Sequence, residues 1–239
     1  LMTAGMSTVS GSIMIALVSM LSIQFPGINL IQHLVSASIL SIPAAIMYAN
    51  IMIPSSKITN FDGSSVPKVY DSSMDAITKG TRDGLEICLN VAAILIAFIA
   101  LVSLLNSILG IAGNWIGVND LSLQLILGYI FFPIVWLMGI PISEALTSAE
   151  LLGLKTALNE FVAYGALANI ESDVLSERSK LITLYALCGF ANFSSVGILV
   201  TGISAMAPDR KNDLIKVSIK ALIGATLASC MTGLVIGLF

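Results

Sequence analysis

Charged residues are scarce in this chain and are missing from long stretches of it. Asp, Glu, Lys and Arg together make up 10% of the 239 residues, whereas a soluble domain carries roughly 25%. A bilayer-spanning helix needs about 20 largely apolar residues. The composition therefore predicts an all-α protein that crosses the membrane several times. The stretches without any charged residue are 1–56, 87–119, 121–143, 181–208 and 221–239.

Side chains that carry enzyme chemistry are also few. The chain has one histidine, His33, and three cysteines, Cys88, Cys188 and Cys230, which lie far apart in apolar sequence. This spacing fits neither a metal site nor a disulfide framework. Without a nucleophile–base pair, the sequence argues against an enzyme and against a cofactor, and a net charge of −3 gives no support for a nucleic-acid partner. His33 is either a proton carrier or a residue without a role near the start of its helix.

Five segments are predicted to span the membrane, and the basic residues orient them. The segments are 2–23, 30–53, 85–111, 181–206 and 215–238. A polar connection at 54–84, with an interfacial helix in its second half, follows the second span. Two other apolar pieces, at 121–140 and 143–168, are considered below. If neither crosses the membrane, eight of the eleven basic residues lie on the side of the connections 54–84 and 207–220. Because Lys and Arg accumulate on the cytoplasmic side, both connections are expected to be cytoplasmic.

Two apolar pieces resist a simple spanning interpretation. Residues 121–140 are interrupted by Gly128 and Pro133, which indicates a helix that lies along the interface or is partly buried. The segment SAELLGLKTALNEFVAYGAL has two short apolar pieces around Asn159 and Glu160. This pattern predicts a re-entrant helical hairpin over residues 143–168. Non-helical backbone at membrane depth must be covered by protein or face water.

The segment LCGFANFSSVG, residues 187–197, places polar groups and glycines in the middle of an apolar run. A lipid-facing helix would carry Leu, Ile and Val there, so the segment predicts a broken helix. GMSTVSGSI at 5–13 aligns with GFANFSSVGI at 189–198, and an odd number of crossings separates the two copies. Such an inverted repeat is typical of secondary transporters, whose substrate lies near the membrane midplane. A chance likeness between two small-residue membrane helices is the alternative.

Several polar residues at membrane depth are candidates for a binding site. A carboxylate such as Glu160 normally faces a partner, water or substrate there, unless it lies at a wet helix end. Asn192 and Ser195 are either interhelical packing contacts or, with Glu160, groups suited to a hydroxyl-rich ligand. Thr8 and Ser10 are either packing residues or part of a sodium site, because hard cations take oxygen ligands.

Three motifs closely resemble the concentrative nucleoside transporter family: LNEFVAY at 158–164, YALCGFANFSSVGI at 185–198 and MTAGMSTVSGS at 2–12. The resemblance extends over almost the whole chain. It implies a homotrimer in the lipid bilayer of the plasma membrane that imports nucleosides by sodium-coupled or proton-coupled symport. It also implies an elevator-type fold, in which a mobile transport part moves against a scaffold. A non-transporting structural membrane subunit and a transporter of a different small polar solute remain the alternatives.

The resemblance also implies roles for particular residues. Glu160, Asn192 and Ser195 would bind the ribose hydroxyls of a nucleoside. Phe190 would line the nucleobase side of the site, and Ile13 would contact the base. At the first interruption, the Thr8 hydroxyl and the Val9 carbonyl would bind sodium.

The same resemblance implies an order of structural parts along the chain. A first re-entrant hairpin that reads the nucleobase is expected to precede residue 2, so the chain is expected to be the C-terminal part of a longer transporter. The expected parts are two transport helices of the first repeat at 1–53, the cytoplasmic connection at 54–84, a long scaffold helix at 85–113, the interfacial helix at 121–140, the re-entrant hairpin at 143–168, and the broken and last helices of the second repeat at 178–239.

Overall fold

A computed structural model describes residues 1–22, 25, 27–54, 71–118, 121–171 and 173–239. Within these ranges the regular secondary structure is entirely helical, as predicted, and a single 3₁₀ turn at Pro208–Arg210 precedes the last helix. The α-helices are α1 (Met2–Ser7), α2 (Gly11–Leu21), α3 (Leu30–Met52), α4 (Ser73–Ile116), α5 (Leu123–Leu137), α6 (Ile142–Ala157), α7 (Glu160–Ala168), α8 (Glu177–Leu187), α9 (Phe193–Met206) and α10 (Lys211–Ile236).

Four parts of this helical structure are long and apolar enough to cross a bilayer. They are Met2–Leu21, Leu30–Met52, Ile96–Trp115 and Pro208–Ile236. These parts overlap four of the five predicted spans. The fifth, at 181–206, is divided between α8 and α9, and its apolar part, Phe193–Ser204, is shorter than a full crossing. The division falls at the polar stretch that predicted a broken helix.

The long helix α4 differs from the prediction. Its 44 residues, Ser73–Ile116, form one uninterrupted helix. At its start the Ser72 hydroxyl accepts a hydrogen bond from the Asp75 amide, and it ends at Gly117, which has φ +76°. The structure therefore shows no boundary between a separate interfacial helix and a scaffold helix starting at residue 85. Gly80 and Gly84 do not end the helix, because a glycine inside a helix costs only about 1 kcal/mol. Residues 55–70 of the predicted connection lie outside the described residues.

Both predicted interruptions are present. Between α1 and α2 the backbone is extended at Thr8 and Ser10. Between α8 and α9 it is extended at Cys188 and Asn192, and Gly189 has φ +124°. The two interruptions meet, because a Cβ atom at Gly189 would lie only 2.7 Å from the Ser7 carbonyl oxygen. A glycine is required at this position both for its φ angle and for this close approach.

Helices α6 and α7 form a helical hairpin, joined by Leu158 and Asn159, in the segment 143–168, and its re-entry into the membrane stays a prediction. Helix α5 packs closely on α6 through small residues: a Cβ atom at Gly153 would lie 2.5 Å from the Gln124 carbonyl oxygen. On its other side, α6 is tied to α8 by a hydrogen bond from the Thr183 hydroxyl to the Ser148 hydroxyl, at 2.9 Å. These contacts hold the turn of the hairpin beside the interruption between α8 and α9.

Candidate functional site

One cavity lies where the starts of α2, α7 and α9 come together. Its volume is about 310 Å³. All five predicted substrate-binding residues line it, although they come from three separate segments of the chain. The full lining is Ser10, Ile13, Asn159, Glu160, Phe161, Phe190, Asn192, Ser194, Ser195 and Ile198. The structure thus brings these five residues together, while their roles in binding stay predictions.

The centre of the cavity is a contact between Glu160 and Asn192. The Nδ2 group of Asn192 donates to Oε2 of Glu160 at 3.2 Å. Both residues are buried, with 5% of Glu160 and 1% of Asn192 exposed. Burying a carboxylate is costly unless it receives hydrogen bonds, and the Asn192 amide supplies one. The remaining acceptor positions of the carboxylate can take hydroxyl donors from a ligand.

The orientation of Asn192 is set by the start of α9. Its Oδ1 atom accepts the Ser195 amide at 2.8 Å, which is the usual geometry of a helix N-cap. The same atom accepts the Ser195 hydroxyl at 2.8 Å and the Ser194 hydroxyl at 2.6 Å. Because Oδ1 takes these three donors, Nδ2 is turned towards Glu160. Ser194 was not among the predicted site residues, although it stands in the polar stretch that drew attention to the segment.

Two helix starts face the cavity. Asn159 caps α7, its Oδ1 atom accepting the Val162 amide at 2.9 Å, and Glu160 is the first residue of that helix. Asn192 caps α9 in the same way. A helix start carries a partial positive charge that stabilises a nearby anion, so the two starts support an ionised carboxylate at Glu160. The arrangement can bind a neutral ligand through hydroxyl groups while keeping its own charge compensated.

The rest of the wall is largely apolar. Ile13, Phe161, Phe190 and Ile198 line it beside the polar groups. Cavities that bind small organic molecules combine such apolar surface with a few fixed polar groups. The cavity therefore offers a polar corner at Glu160 and an apolar surface on which a ring could pack.

The predicted sodium residues lie apart from this cavity. The Thr8 hydroxyl donates to the carbonyl oxygen of Ala4 at 3.2 Å, and Thr8 lines a second, mainly apolar cavity. Val9 is buried. Ser10, considered together with Thr8 from sequence, instead lines the cavity that contains Glu160. No cluster of three or more His, Cys, Asp or Glu side chains occurs among the described residues, so a cation at Thr8 would depend on hydroxyl and carbonyl oxygens.

His33 has a partner that sequence did not indicate. It lies in the first turn of α3, where its Nδ1 atom is 3.0 Å from the Tyr185 hydroxyl of α8. The two rings also meet edge to face, with centroids 5.7 Å apart. His33 therefore joins α3 to the end of α8 and does not line the cavity.

Apolar helices that are broken in two places, beside a cavity with a polar corner, are typical of membrane transport proteins. The chain belongs to the concentrative nucleoside transporter family: the family model described as "Na+ dependent nucleoside transporter C-terminus" matches residues 33–237. This finding confirms the resemblance seen in the motifs. It also makes the chain part of an integral membrane protein.

Individual relatives agree with this assignment. The chain is 39% identical to an uncharacterized transporter of Haemophilus influenzae, over 100% of this chain and 57% of the relative. It is 36% identical to the nucleoside permease NupC of Helicobacter pylori, over 100% of this chain and 56% of the relative. It is also 36% identical to human solute carrier family 28 member 3, over 100% of this chain and 36% of the relative. These relatives are transporters and not enzymes, as predicted.

A solved structure shows the same fold. The chain matches CNTnw in an inward-facing substrate-bound state with a TM-score of 0.79 and 36% identity, covering 99% of this chain and 55% of CNTnw. The chain spans 57% of the length of the Haemophilus influenzae relative and about as much of CNTnw.

Proposed function

We propose that the complete protein imports nucleosides by ion-coupled symport and that this chain supplies the part of the site that binds ribose. The observation that carries the proposal is the buried contact between Glu160 and Asn192 inside a cavity with an apolar wall. Support also comes from the family and from the relative named a nucleoside permease.

The ribose of a nucleoside fits the hydrogen-bonding groups of the polar corner. The Glu160 carboxylate would accept hydrogen bonds from the 2′- and 3′-hydroxyls, because an ionised carboxylate only accepts. Asn192 and Ser195 would complete the contacts to the same hydroxyls. A site whose buried groups need hydroxyl partners rejects analogues that lack them. Selectivity for the sugar would therefore come from this chain.

The nucleobase would lie against the apolar wall. Phe190 offers a ring face or edge to an aromatic base, and Ile13 lines the cavity from α2. These two residues supply shape and apolar contact but no base-specific hydrogen bonds. We propose that groups outside this chain read the identity of the base, since the relatives are considerably longer.

Sodium is the proposed coupling ion, with Thr8 and the Val9 carbonyl among its ligands. The family description names sodium dependence. The Thr8 hydroxyl uses its hydrogen to bond Ala4, which leaves its oxygen lone pairs available to a cation. The extended backbone at Thr8 also frees carbonyl groups from helical hydrogen bonds, a common source of sodium ligands in transporters.

The larger architecture that we propose is an elevator-type homotrimer with an inverted repeat and a re-entrant hairpin. The two interruptions, which occur in segments of similar sequence and touch at Gly189, support the inverted repeat. The short helices α6 and α7, with Asn159 and Glu160 at their turn, support the hairpin. Along α4, large apolar side chains are exposed, as expected of a scaffold helix in contact with lipid or with other copies: Ile96, Ile99, Leu101, Leu104, Ile108 and Ile111.

A matched pair of carboxylate substitutions tests the proposal. In the complete parent protein, Glu160→Gln removes the carboxylate from the cavity. Glu150→Gln makes the same change in α6, where the side chain lies against Gly128 of α5 and outside the cavity. Equilibrium binding of uridine would be measured for both variants in detergent. Hydrogen bonds to charged groups contribute about 1.5–3 kcal/mol, so Glu160→Gln should raise the Kd for uridine about 10- to 100-fold.

The Glu150→Gln variant should bind uridine within about twofold of the unaltered protein, because a residue far from the ligand changes binding little. Uridine binding by Glu160→Gln at the unaltered affinity would contradict the assignment of the ribose site. If the unaltered protein binds no nucleoside at all, the result would favour a structural membrane subunit or a carrier of a different small polar solute.

A further inference from the structure

Three consecutive carbonyl groups at the end of α8 each receive a side-chain donor from a different helix. The Tyr164 hydroxyl donates to the Leu184 carbonyl at 2.8 Å, and the Lys155 ammonium group donates to the Ala186 carbonyl at 3.0 Å. Between them, the Thr232 hydroxyl donates to the Tyr185 carbonyl at 3.3 Å. The last carbonyls of a helix have no partner within the helix. The Tyr185 carbonyl also accepts the Cys188 amide at 3.0 Å, whereas the Tyr164 and Lys155 side chains supply hydrogen bonds to the Leu184 and Ala186 carbonyls where α8 is interrupted.

Lys155 is the charged member of this set. It is fully buried, with none of its surface exposed, and it lies in the last turn of α6. The carbonyl end of a helix carries a partial negative charge, which favours a cation. A buried charge without compensation is strongly destabilising, so the position of the ammonium group is restricted to the end of α8. Lys155 does not line the cavity that contains Glu160.

The Lys155 contact lies just before the two residues that meet in the cavity. Lys155 precedes Glu160 by five residues along the hairpin, and Ala186 precedes Asn192 by six residues across the interruption. The contact thus joins the hairpin to the broken helix immediately beside the proposed ribose site.

The first interruption is built differently. The Ser7 and Thr8 hydroxyls donate to the Ala4 carbonyl at the end of α1, and both come from the same helical turn. Among the described residues, no Lys or Arg side chain donates to a carbonyl of α1. The buried Lys155 ammonium group is therefore a feature of the second interruption, and Glu160 of the hairpin lies beside that interruption.

We propose that Lys155 is a positioning residue for the ribose site, acting as a tethered cation. By bonding the end of α8, its ammonium group holds the hairpin at the distance at which Glu160 meets Asn192. This inference rests on the proposed function, because it concerns how the nucleoside site is kept in register.

The test compares two nucleosides in the complete parent protein. Uridine carries the 2′- and 3′-hydroxyls that Glu160 is proposed to bind, whereas 2′,3′-dideoxyuridine lacks these two and keeps only the 5′-hydroxyl, so the ratio of their Kd values reports the alignment of Glu160. Lys155→Met removes the charge and the hydrogen bond, and Lys155→Gln removes the charge but keeps an N–H donor. Tyr164→Phe is the matched control, since it deletes a neutral donor to the same helix end. Thermal unfolding of each variant would be followed in parallel.

For both Lys155 variants we expect the Kd for uridine to rise about tenfold, corresponding to roughly 1.4 kcal/mol. The Kd for dideoxyuridine should change no more than about twofold, because that ligand lacks the 2′- and 3′-hydroxyls that Glu160 is proposed to bind. The Tyr164→Phe variant should keep the preference for uridine. A general loss of packing would weaken both ligands together, so the ratio separates positioning from a purely structural role.

Three results would overturn the proposal. If Lys155→Met and Lys155→Gln keep the unaltered preference for uridine, Lys155 does not position the site although the proposed function stands. If neither variant folds while Tyr164→Phe does, Lys155 belongs to the structural core. If the unaltered protein itself shows no preference for uridine, the ribose site and the proposed function fail as well.

Discussion

The Asn192 amide donates to the Glu160 carboxylate at 3.2 Å across 32 residues of sequence. Asn192 is the cap of α9, and Glu160 follows the cap of α7. The contact therefore depends on two helix starts that face one another, and each start exists because the chain leaves a helix just before it, at Leu158 and at Cys188. Local backbone structure and the proposed binding chemistry are linked at this one pair.

The first prediction separates the two functions of Asn192. Asn192→Ala removes both the cap of α9 and the partner of Glu160, so it should lower the free energy of unfolding by about 1 kcal/mol and raise the Kd for uridine at least about tenfold. Asn192→Ser keeps an oxygen that can cap the helix but has no group that reaches Glu160 in the same way. The Asn192→Ser variant should unfold near the unfolding temperature of the unaltered protein, but it should bind uridine more weakly than the unaltered protein does.

Thermal unfolding and equilibrium uridine binding on the same detergent samples check this prediction. Unaltered uridine affinity in Asn192→Ser would show that the amide contributes only to the helix start, and the pairing with Glu160 would then have no part in binding.

A second prediction concerns the contact between the two interruptions. Gly189→Ala places a side chain at φ +124°, with its Cβ 2.7 Å from the Ser7 carbonyl oxygen. Strained backbone of this kind costs about 1–3 kcal/mol, so the variant should unfold at a clearly lower temperature and bind uridine less tightly. Thermal unfolding and uridine binding, measured on the complete parent protein, would show both effects.

Gly202→Ala provides the matched control, because Gly202 lies inside α9 and a Cβ atom there meets nothing within 4 Å. An alanine inside a helix is more stable than glycine by about 0.5–1 kcal/mol, so this variant should unfold at or above the unaltered temperature. Equal unfolding temperatures for Gly189→Ala and Gly202→Ala would contradict the close approach of the two interruptions.

The polar residues of the cavity could be anticipated from sequence because each breaks a local rule of membrane helices, whereas Ile13 and Phe190 came from the resemblance to the family. Glu160 is a carboxylate within apolar sequence, and Asn192 and Ser195 stand between two glycines where apolar residues are expected. The interruption at Thr8 was predicted from the alignment of residues 5–13 with residues 189–198. These signals are strong because lipid excludes such groups unless protein or water receives them. The chemistry of Glu160, Asn192 and Ser195 grouped them as a site for a hydroxyl-rich ligand, and the resemblance to the family then assigned them to ribose.

Other features could not be anticipated because they depend on tertiary contacts. Lys155 stands within the segment SAELLGLKTALNEFVAYGAL, whose sequence indicates no partner for it, whereas the structure buries it against Ala186. The partner of His33, the Tyr185 hydroxyl, is 152 residues away in sequence. The continuity of α4 was missed because the change from polar to apolar sequence near residue 85 was interpreted as a helix boundary. Backbone hydrogen bonds within a helix form whether its side chains are polar or apolar.

The measurement that tests the central claim most directly is uptake of radiolabelled uridine by proteoliposomes that contain the complete parent protein. One set would carry an inward sodium gradient, and the other an inward proton gradient in sodium-free buffer. We predict concentrative uptake with sodium, abolished by Glu160→Gln and retained in Glu150→Gln. Uptake with protons alone would leave the nucleoside site in place and contradict the sodium site at Thr8. An absence of uridine uptake under either gradient would contradict nucleoside transport itself.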